Sequence, residues 1–287
     1  MVIALALGAA LAYGAADFLG GAVARKSSTL RALTWCVPVG LAVVLACALP
    51  AGGTVAPGPM AIGFLGGISG GTGLITFYRA LARGPMSVVA PVSALASAVL
   101  PVAVGVVRGE RLNASVLFGV LLCLVAIGLV SMEAGKEPAP AGRRLLDSGP
   151  LMAGVSGACF GVFFVLLKAA GDGAGLWPIV GARVGTLSIV AVAVLVVALR
   201  GGGLGPRLSG WTLVGLAMLS GALDTGANVL YFIAAREGML SLAAVLTSLY
   251  PAITVLLARI AYSERLRTVQ RVGLALAATG VTLVTVG

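Results

Sequence analysis

The sequence contains no histidine, and only 10% of its 287 residues are charged. A soluble protein carries about 25% charged residues. The four cysteines lie inside apolar runs without paired spacing, which predicts neither a disulfide framework nor a metal site: Cys36, Cys47, Cys123 and Cys159. We expect no cofactor and no metal. The lack of histidine, of a metal-ligand cluster and of a nucleotide motif disfavours an enzyme or an ATP-driven pump.

Apolar residues make up 60% of the chain, and the mean hydropathy is +1.11. A soluble chain of this length could not hide so much apolar surface from water, so lipid must solvate most of it. The net charge is +10, but the basic residues lie mainly in short connectors, as they do beside membrane spans. We therefore predict no nucleic-acid surface.

Ten apolar stretches are long enough to cross about 30 Å of hydrocarbon as helices. The sequence thus predicts an all-α polytopic membrane protein. The first stretch opens at Met1 without a basic leader, so we expect a structural helix and not a signal peptide. The predicted spans are 2–23, 32–50, 59–82, 86–107, 114–132, 150–170, 177–199, 211–235, 239–261 and 269–286.

One segment of the chain occurs twice, because residues 77–131 return as 231–285. With a constant shift, Ala80 falls on Ala234, Gly84 on Gly238, and Glu110-Arg111-Leu112 on Glu264-Arg265-Leu266. A hydrophilic linker at 133–149 separates residues 1–132 from 150–287, and five predicted spans lie on each side of it. An odd number of spans predicts inverted-topology repeats, which is the geometry of secondary transporters.

Five charged residues inside predicted spans are candidates for a function: Asp17, Arg79, Lys168, Arg183 and Asp224. Each costs about 2.5–3.5 kcal/mol at the bilayer centre. Arg79 and Lys168 lie near span ends, where long side chains can snorkel to the headgroups. The others need a partner or a function.

Helical rise gives the depths of these groups. From the membrane side where the first span begins, Arg183 lies roughly 9 Å deep, Asn228 about 10 Å, Asp224 about 16 Å and Asp17 about 22 Å. The Arg183 guanidinium can therefore meet Asp224 or a substrate carboxylate. Asp17 is nearer to Arg79, and a structural ion pair there is an alternative to a functional carboxyl group.

Aromatic hydroxyl groups lie near the predicted cavity, in Tyr13, Tyr78, Tyr231 and Tyr250. We expect Tyr13, Tyr78 and Tyr250 to contact the substrate. The Tyr250-Pro251 step either frees a main-chain carbonyl for the cavity or forms a packed kink.

Glycine is concentrated at positions 66–73, but no Lys follows as in a phosphate loop. Close helix packing explains the run better. We expect Ser69 and Thr72 in this run to line the cavity.

Asp17, Asp224 and Asn228 each occur in one copy of the repeat, and each has an uncharged or apolar residue as its counterpart in the other. Asp224 corresponds to Gly70 and Asn228 to Leu74, whereas Asp17 corresponds to Phe164. This asymmetry favours an asymmetric ligand over charges that only hold helices together.

Three motifs carry a family resemblance: residues 13–21 (YGAADFLGG), residues 77–91 (FYRALARGPMSVVAP), and Ser248-Leu249-Tyr250-Pro251 with Glu264-Arg265-Leu266. With the doubled five-helix unit, they resemble the EamA-type drug/metabolite transporter superfamily over essentially the whole chain. The resemblance implies a multi-pass carrier of the bacterial inner membrane, commonly an exporter of amino acids or related compounds. Small multidrug pumps of the superfamily use an acidic residue in the first span, and Asp17 resembles that residue.

Two indications of orientation disagree. Basic residues concentrate in connectors after odd-numbered spans, which places both termini outside. The resemblance implies both termini in the cytoplasm. The orientation therefore stays open.

The sequence as a whole predicts a secondary transporter whose halves rock around a midplane site. Arg183 would hold a substrate carboxylate, Asn228 and Tyr250 would add hydrogen bonds, and Asp17 or Asp224 would carry a proton, since burial favours the neutral form of a carboxyl group. A multidrug or organic-cation exporter, a carrier of lipid-linked substrates and a non-transporting scaffold are the alternatives. We expect a small-molecule substrate and the bilayer as partners, with the protein a monomer or a homodimer.

Overall fold

A computed structural model describes residues 2–107, 149–171, 173–237, 250–263 and 268–286, with Thr247 and scattered positions between 114 and 129. These described residues form helices and no strand. The helices are α1 (Val2–Lys26), α2 (Thr29–Ala51), α3 (Pro57–Arg83), α4 (Met86–Val107), α5 (Gly149–Ala169), α6 (Trp177–Leu199), α7 (Trp211–Glu237), α8 (Tyr250–Tyr262) and α9 (Thr268–Val286).

Eight of the ten predicted spans lie within a few residues of these helices. The predicted span 114–132 and the first part of 239–261 fall mostly outside the described residues. Six described helices, α1, α2, α3, α5, α6 and α7, are long and apolar enough to cross a membrane, and shorter apolar helices cover Met86–Ser97 and Tyr250–Tyr262. The protein is therefore a multi-pass membrane protein built from helices.

Helix boundaries follow local chemistry. Ser28 caps α2 by accepting a hydrogen bond from the main-chain nitrogen of Arg31 at 3.3 Å. Proline stands at the start of α3 and of α6, where a missing N–H costs nothing. The Gly84-Pro85 step separates α3 from α4, because proline restricts the residue before it to extended conformations.

The glycine run of α3 lies against α6, as the sequence predicts. A Cβ atom at Gly63 would overlap the main-chain oxygen of Pro178, and one at Gly67 would overlap that of Ala182. Only glycine allows the two backbones to approach so closely. The contacts advance along both helices in the same order, so α3 and α6 run in the same direction.

Other contacts give the directions of the remaining neighbours. From Gly20 onward α1 meets α3 at Tyr78, and Arg25 reaches Gly84, so α1 and α3 run in the same direction. The helices α3 and α5 are antiparallel, because Gly66 packs on Phe163 whereas Gly73 packs on Cys159.

Most packing partners belong to opposite halves of the sequence. We call α1, α2, α7 and α8 bundle A, and α3, α4, α5 and α6 bundle B. In bundle A, α7 packs against α1 and α2, and α8 packs against α1. In bundle B, α3 packs against α5 and α6, and α4 packs against α5. Each bundle thus combines two helices of the first half with two of the second.

The two bundles meet along α2 and α6, α1 and α3, and α4 and α8. The largest apolar core extends across this contact, since Val23 and Leu33 of bundle A cluster with Leu81 and Met86 of bundle B. These four side chains are fully buried. The contact between bundles is therefore a packed core over part of its area.

We call the end of the molecule where α1 ends the basic end. Six basic residues lie at this end, at or next to helix termini: Arg25, Lys26, Arg31, Arg83, Arg200 and Arg207. Arg25 donates from Nε to the main-chain oxygen of Leu81 at 2.7 Å and from Nη2 to that of Gly84 at 2.6 Å. Its guanidinium also stacks 4.8 Å from the ring centre of Tyr262. Arg25 thereby holds the ends of α1, α3 and α8 together.

Candidate functional site

The centre of the site is an ion pair between the bundles. Arg183 of α6 donates from Nη2 to Oδ2 of Asp224 on α7 at 2.5 Å. The two side chains are 11% and 20% exposed. The sequence left Arg183 with two possible partners, and in this structure Asp224 occupies it. An ion pair so little exposed holds two helices in register, because separating the charges would leave each without compensation.

Gly40 of α2 leaves room for the Arg183 side chain. A Cβ atom at Gly40 would lie 3.8 Å from Arg183 Nη1 and 2.5 Å from Oγ1 of Thr225, the residue after Asp224. The Thr225 hydroxyl is fully buried and has no hydrogen-bond partner among the described residues. Gly40 thus lets α7 and the guanidinium come together beside α2.

Asn228 lies one turn from Asp224 on the same helix, as the spacing predicts. Its Nδ2 donates to the main-chain oxygen of Asp224 at 2.8 Å. The amide donor is therefore engaged with its own helix in this structure, and it steadies the turn that carries Asp224.

Two tyrosines of bundle A, Tyr13 of α1 and Tyr250 of α8, contact each other in the region of the ion pair. The rings of Tyr13 and Tyr250 are 5.8 Å apart and tilted by 55°. Tyr13 lies close enough to Arg183 and Asp224 for electrostatic interaction with both, and Tyr231 is a further neighbour. The structure therefore places Tyr13 against Tyr250 and within electrostatic range of the ion pair.

Asp17 lies in the same region. Asp17 lies within electrostatic range of both Asp224 and Tyr250. No described residue forms a hydrogen bond or ion pair with its carboxylate, so the alternative of an Asp17–Arg79 ion pair is not observed. Arg79 and Lys168 are both exposed near helix ends, where snorkelling places such side chains. Asp17 therefore lies within electrostatic range of Asp224, without a hydrogen-bonding partner among the described residues.

Tyr78 is placed differently from the other tyrosines. Its side chain is 1% exposed, and its hydroxyl lies 2.8 Å from Ser220 Oγ and 3.9 Å from the Cys36 sulfur. Ser220 donates to the main-chain oxygen of Ala16 at 2.8 Å, so the Tyr78 hydroxyl is the donor to Ser220. In this structure Tyr78 holds α3 against α1, α2 and α7 instead of offering its hydroxyl to a cavity.

Two further expectations concern the glycine run. Ser69 donates to the main-chain oxygen of Cys159 at 2.9 Å, which places it between α3 and α5. Thr72 is exposed and donates to Ile68 in its own helix. The Ser69 hydroxyl thus serves the contact between α3 and α5, and the Thr72 hydroxyl bonds within α3.

The described cysteines Cys36, Cys47 and Cys159 are free thiols. Within the same described ranges, no cluster of three or more potential metal ligands occurs. The arrangement offers one guanidinium, two carboxylates and several hydroxyl groups, which suit a small polar ligand with a negative group. Sequence reasoning missed Gly40, Thr225, Cys36 and Ser220, because small residues in apolar runs carry no distinguishing signal.

Comparisons with known proteins agree with this architecture. Residues 1–132 and 147–286 match the model of the EamA-like transporter family. A search of curated proteins finds no match. Thirteen chains of solved structures match, among them one described only as a crystal structure of a protein. It has a TM-score of 0.61 at 18% identity, over 97% of this chain and 96% of that one, which shows a shared fold.

Proposed function

The chain belongs to the EamA-like transporter family, and we propose that it is a secondary transporter that exports a small carboxylate-bearing metabolite, such as an amino acid, from a bacterial cell through the inner membrane. The observation that carries the proposal is the Arg183–Asp224 ion pair at the contact between bundles A and B. A substrate carboxylate takes the place of Asp224 on Arg183.

Inverted repeats support alternating access. Since α1 and α3 run in the same direction and α5 runs against α3, α1 and α5 run in opposite directions. The first helices of the two halves thus enter the membrane from opposite sides. The moving units we infer are bundles A and B, not the two sequence halves, because the strongest packing lies within the bundles.

Charge balance links the substrate to a proton. The Arg183–Asp224 pair is neutral, and a substrate carboxylate bound to Arg183 would leave Asp224 as an uncompensated buried charge, at a cost of about 3–5 kcal/mol. Asp224 avoids this cost by taking up a proton. Alternatively, the nearby Asp17 takes up the proton, which removes one of the two neighbouring negative charges. An amino acid offers a second solution, since its ammonium group can face either aspartate.

Release of Asp224 also frees the two bundles to move. The ion pair joins α7 of bundle A to α6 of bundle B, so it opposes their separation on the side of the site. A substrate that breaks the pair lowers this barrier, and substrate binding is thereby coupled to the conformational change. Tyr13, within electrostatic range of the pair, and Tyr250, whose ring lies 5.8 Å from that of Tyr13, add hydrogen-bonding groups around the ligand.

The test uses purified protein in liposomes that contain a pH-sensitive dye. Amino acids, small carboxylates and organic cations are added in turn. We expect carboxylate-dependent proton movement with the native protein, none with Arg183→Gln, and a strong reduction with Asp224→Asn. Ser188→Ala is the matched control, because Ser188 is half-buried on α6 and its hydroxyl donates only to its own helix, at Val184.

The outcomes separate the alternatives. Proton movement driven by organic cations and abolished by Asp17→Asn alone would replace the proposal with a cation exporter, which the unpaired Asp17 carboxylate favours as second candidate. Carboxylate flux that survives Arg183→Gln would contradict the assigned binding group. Flux of no compound through folded native protein would point to a lipid-linked substrate or a scaffold.

A further inference from the structure

A groove lies at the basic end, outside the site between the bundles. It consists of two adjoining hollows of about 240 and 210 Å³ between the first turns of α2 and α7 and the loop before α7. Trp35, Leu208 and Val214 line both hollows; Arg31 and Arg207 line one, and Trp211 lines the other. The transport proposal uses none of these residues.

Hydrogen bonds fix the loop that forms one wall. Ser27 Oγ donates to the main-chain oxygen of Pro206 at 2.7 Å, and Ser28 Oγ donates to that of Leu204. Arg31 Nε donates to the main-chain oxygen of Gly205 at 3.0 Å. The corner between α1 and α2 therefore holds the loop at the groove.

The groove is positively charged. Arg31 is half-buried with one guanidinium nitrogen bound to the loop, and Arg207 is exposed on the opposite wall. Across the described ranges, no carboxylate forms an ion pair with either arginine. The two guanidinium groups can therefore face one anionic ligand from two sides.

Two tryptophans mark the groove as a membrane-interface feature. Trp35 is 45% exposed and Trp211 is 91% exposed, each in the first turn or two of its helix. Tryptophan is enriched at the level of lipid headgroups because its ring is apolar and its N–H is polar. A site for a free inorganic anion would have no use for two exposed indole rings beside apolar side chains.

We propose that this groove binds the headgroup of an anionic phospholipid. The lipid phosphate lies between Arg31 and Arg207, and the upper parts of the acyl chains lie along Trp35, Trp211 and Val214. Basic residues at a membrane surface attract anionic lipids, and the effect is roughly fivefold for each residue. Lipid bound here ties the start of α2 to the start of α7.

The test measures tryptophan quenching in a Trp177→Phe background, which keeps only the two groove tryptophans of the three in the chain. The protein is placed in phosphatidylcholine nanodiscs that contain either brominated phosphatidylglycerol or brominated phosphatidylcholine. We expect stronger quenching by the anionic lipid. Arg31→Gln with Arg207→Gln abolishes the difference, whereas Arg31→Lys with Arg207→Lys keeps most of it.

The matched control is Arg200→Gln with Arg271→Gln, which removes the same charge at residues outside the groove. It keeps the preference if the groove is the site. Equal quenching by the two lipids in the native background would overturn the proposal. Loss of the preference in the control would replace a lipid site with a general surface attraction, and loss on addition of inorganic phosphate would indicate a site for free anions.

Discussion

The two sequence halves pack alike but differ in chemistry. Gly67 of α3 lies against the main-chain oxygen of Ala182 on α6, and its repeat counterpart Gly221 of α7 lies against that of Cys36 on α2. Each contact joins the third helix of one half to the second helix of the other. The same pairing of a third helix with the second helix of the other half therefore occurs twice, once in each bundle.

The charged groups do not follow this repetition. Asp224 of α7 pairs with Arg183, whereas its counterpart Gly70 of α3 packs against the ring of Phe163. Asn228 has Leu74 as its counterpart, which is buried in the apolar core. The comparison teaches that small residues preserve the shape of both halves, while the ion pair and Asn228 occur in the second half alone.

The largest expected effect comes from breaking the shared packing. Gly67→Ala and Gly221→Ala each place a Cβ on a main-chain oxygen that cannot rotate away, so each variant should lose more than about 3 kcal/mol of stability, beyond ordinary overpacking. Thermal unfolding in detergent measures the loss. The two variants should be affected equally if the halves are equivalent in packing.

Gly215→Ala is the control for this pair. A Cβ at Gly215 of α7 meets nothing within 4 Å. Alanine favours helix over glycine by about 1 kcal/mol, so this variant should be as stable as the native protein or slightly more so. A Gly67→Ala variant as stable as this control would show that the crossing is looser than the structure describes.

A smaller effect is expected where the α2–α7 contact and the α6–α3 contact carry glycine and threonine on opposite partners. Gly40 of α2 packs on Thr225 of α7, whereas Thr186 of α6 packs on Gly71 of α3, the counterpart of Thr225. Gly40→Thr alone should cost about 1–3 kcal/mol by overpacking. Gly40→Thr with Thr225→Gly recreates the arrangement of the other crossing, so thermal unfolding should show recovery of most of the loss.

The recovery is also informative about transport. A threonine at position 40 narrows the path of the Arg183 side chain, which lies 3.8 Å from a Cβ there. We expect the double variant to regain stability without regaining full flux in the liposome assay. No recovery of stability would mean that the two crossings are not equivalent.

The smallest effects are expected at two serines with corresponding tasks. Ser69 joins α3 to α5 by donating to Cys159, and Ser220 joins α7 to α1 by donating to Ala16. Hydrogen bonds between membrane helices contribute about 0.6 kcal/mol on average and at most about 1.7. Ser69→Ala should lie near the average, and Ser220→Ala near the maximum, because Tyr78 also loses its acceptor.

Thermal unfolding of both serine variants checks the ranking. Replacement of the half-buried Ser188 by alanine supplies the baseline, since its hydroxyl bonds only within α6. Equal destabilisation by Ser69→Ala and Ser220→Ala would show that the contact with Tyr78 adds nothing.

Much of the helical architecture is predictable from sequence. Predicted limits of 177–199 for one span coincide with α6, because Pro178 and the polar residues after Leu199 punctuate the apolar run. The proximity of Arg183 and Asp224 is predictable too, since helical rise places them at nearby depths. The bilayer fixes the depth of each residue in a span, so the position of each buried group along the membrane normal is predictable without knowledge of its contacts.

The position of each group within the membrane plane is not predictable from a single apolar sequence. Tyr78 and Tyr250 are both tyrosines in spans, yet the Tyr78 hydroxyl lies between Ser220 and Cys36, whereas the Tyr250 ring lies against Tyr13. Rotation of a helix about its axis decides between these positions, and apolar residues on every face leave that rotation unmarked. Which helices form each bundle is hidden for the same reason.

The division into bundles A and B has a consequence for biosynthesis. Helices α1 to α4 find most of their partners among α5 to α8, so the first half leaves the ribosome with its packing faces covered only by lipid. The closely packed glycines of α3 must wait for α6, which is synthesised after the linker. Assembly thus resembles the association of two subunits, except that a single chain keeps the second partner near the first.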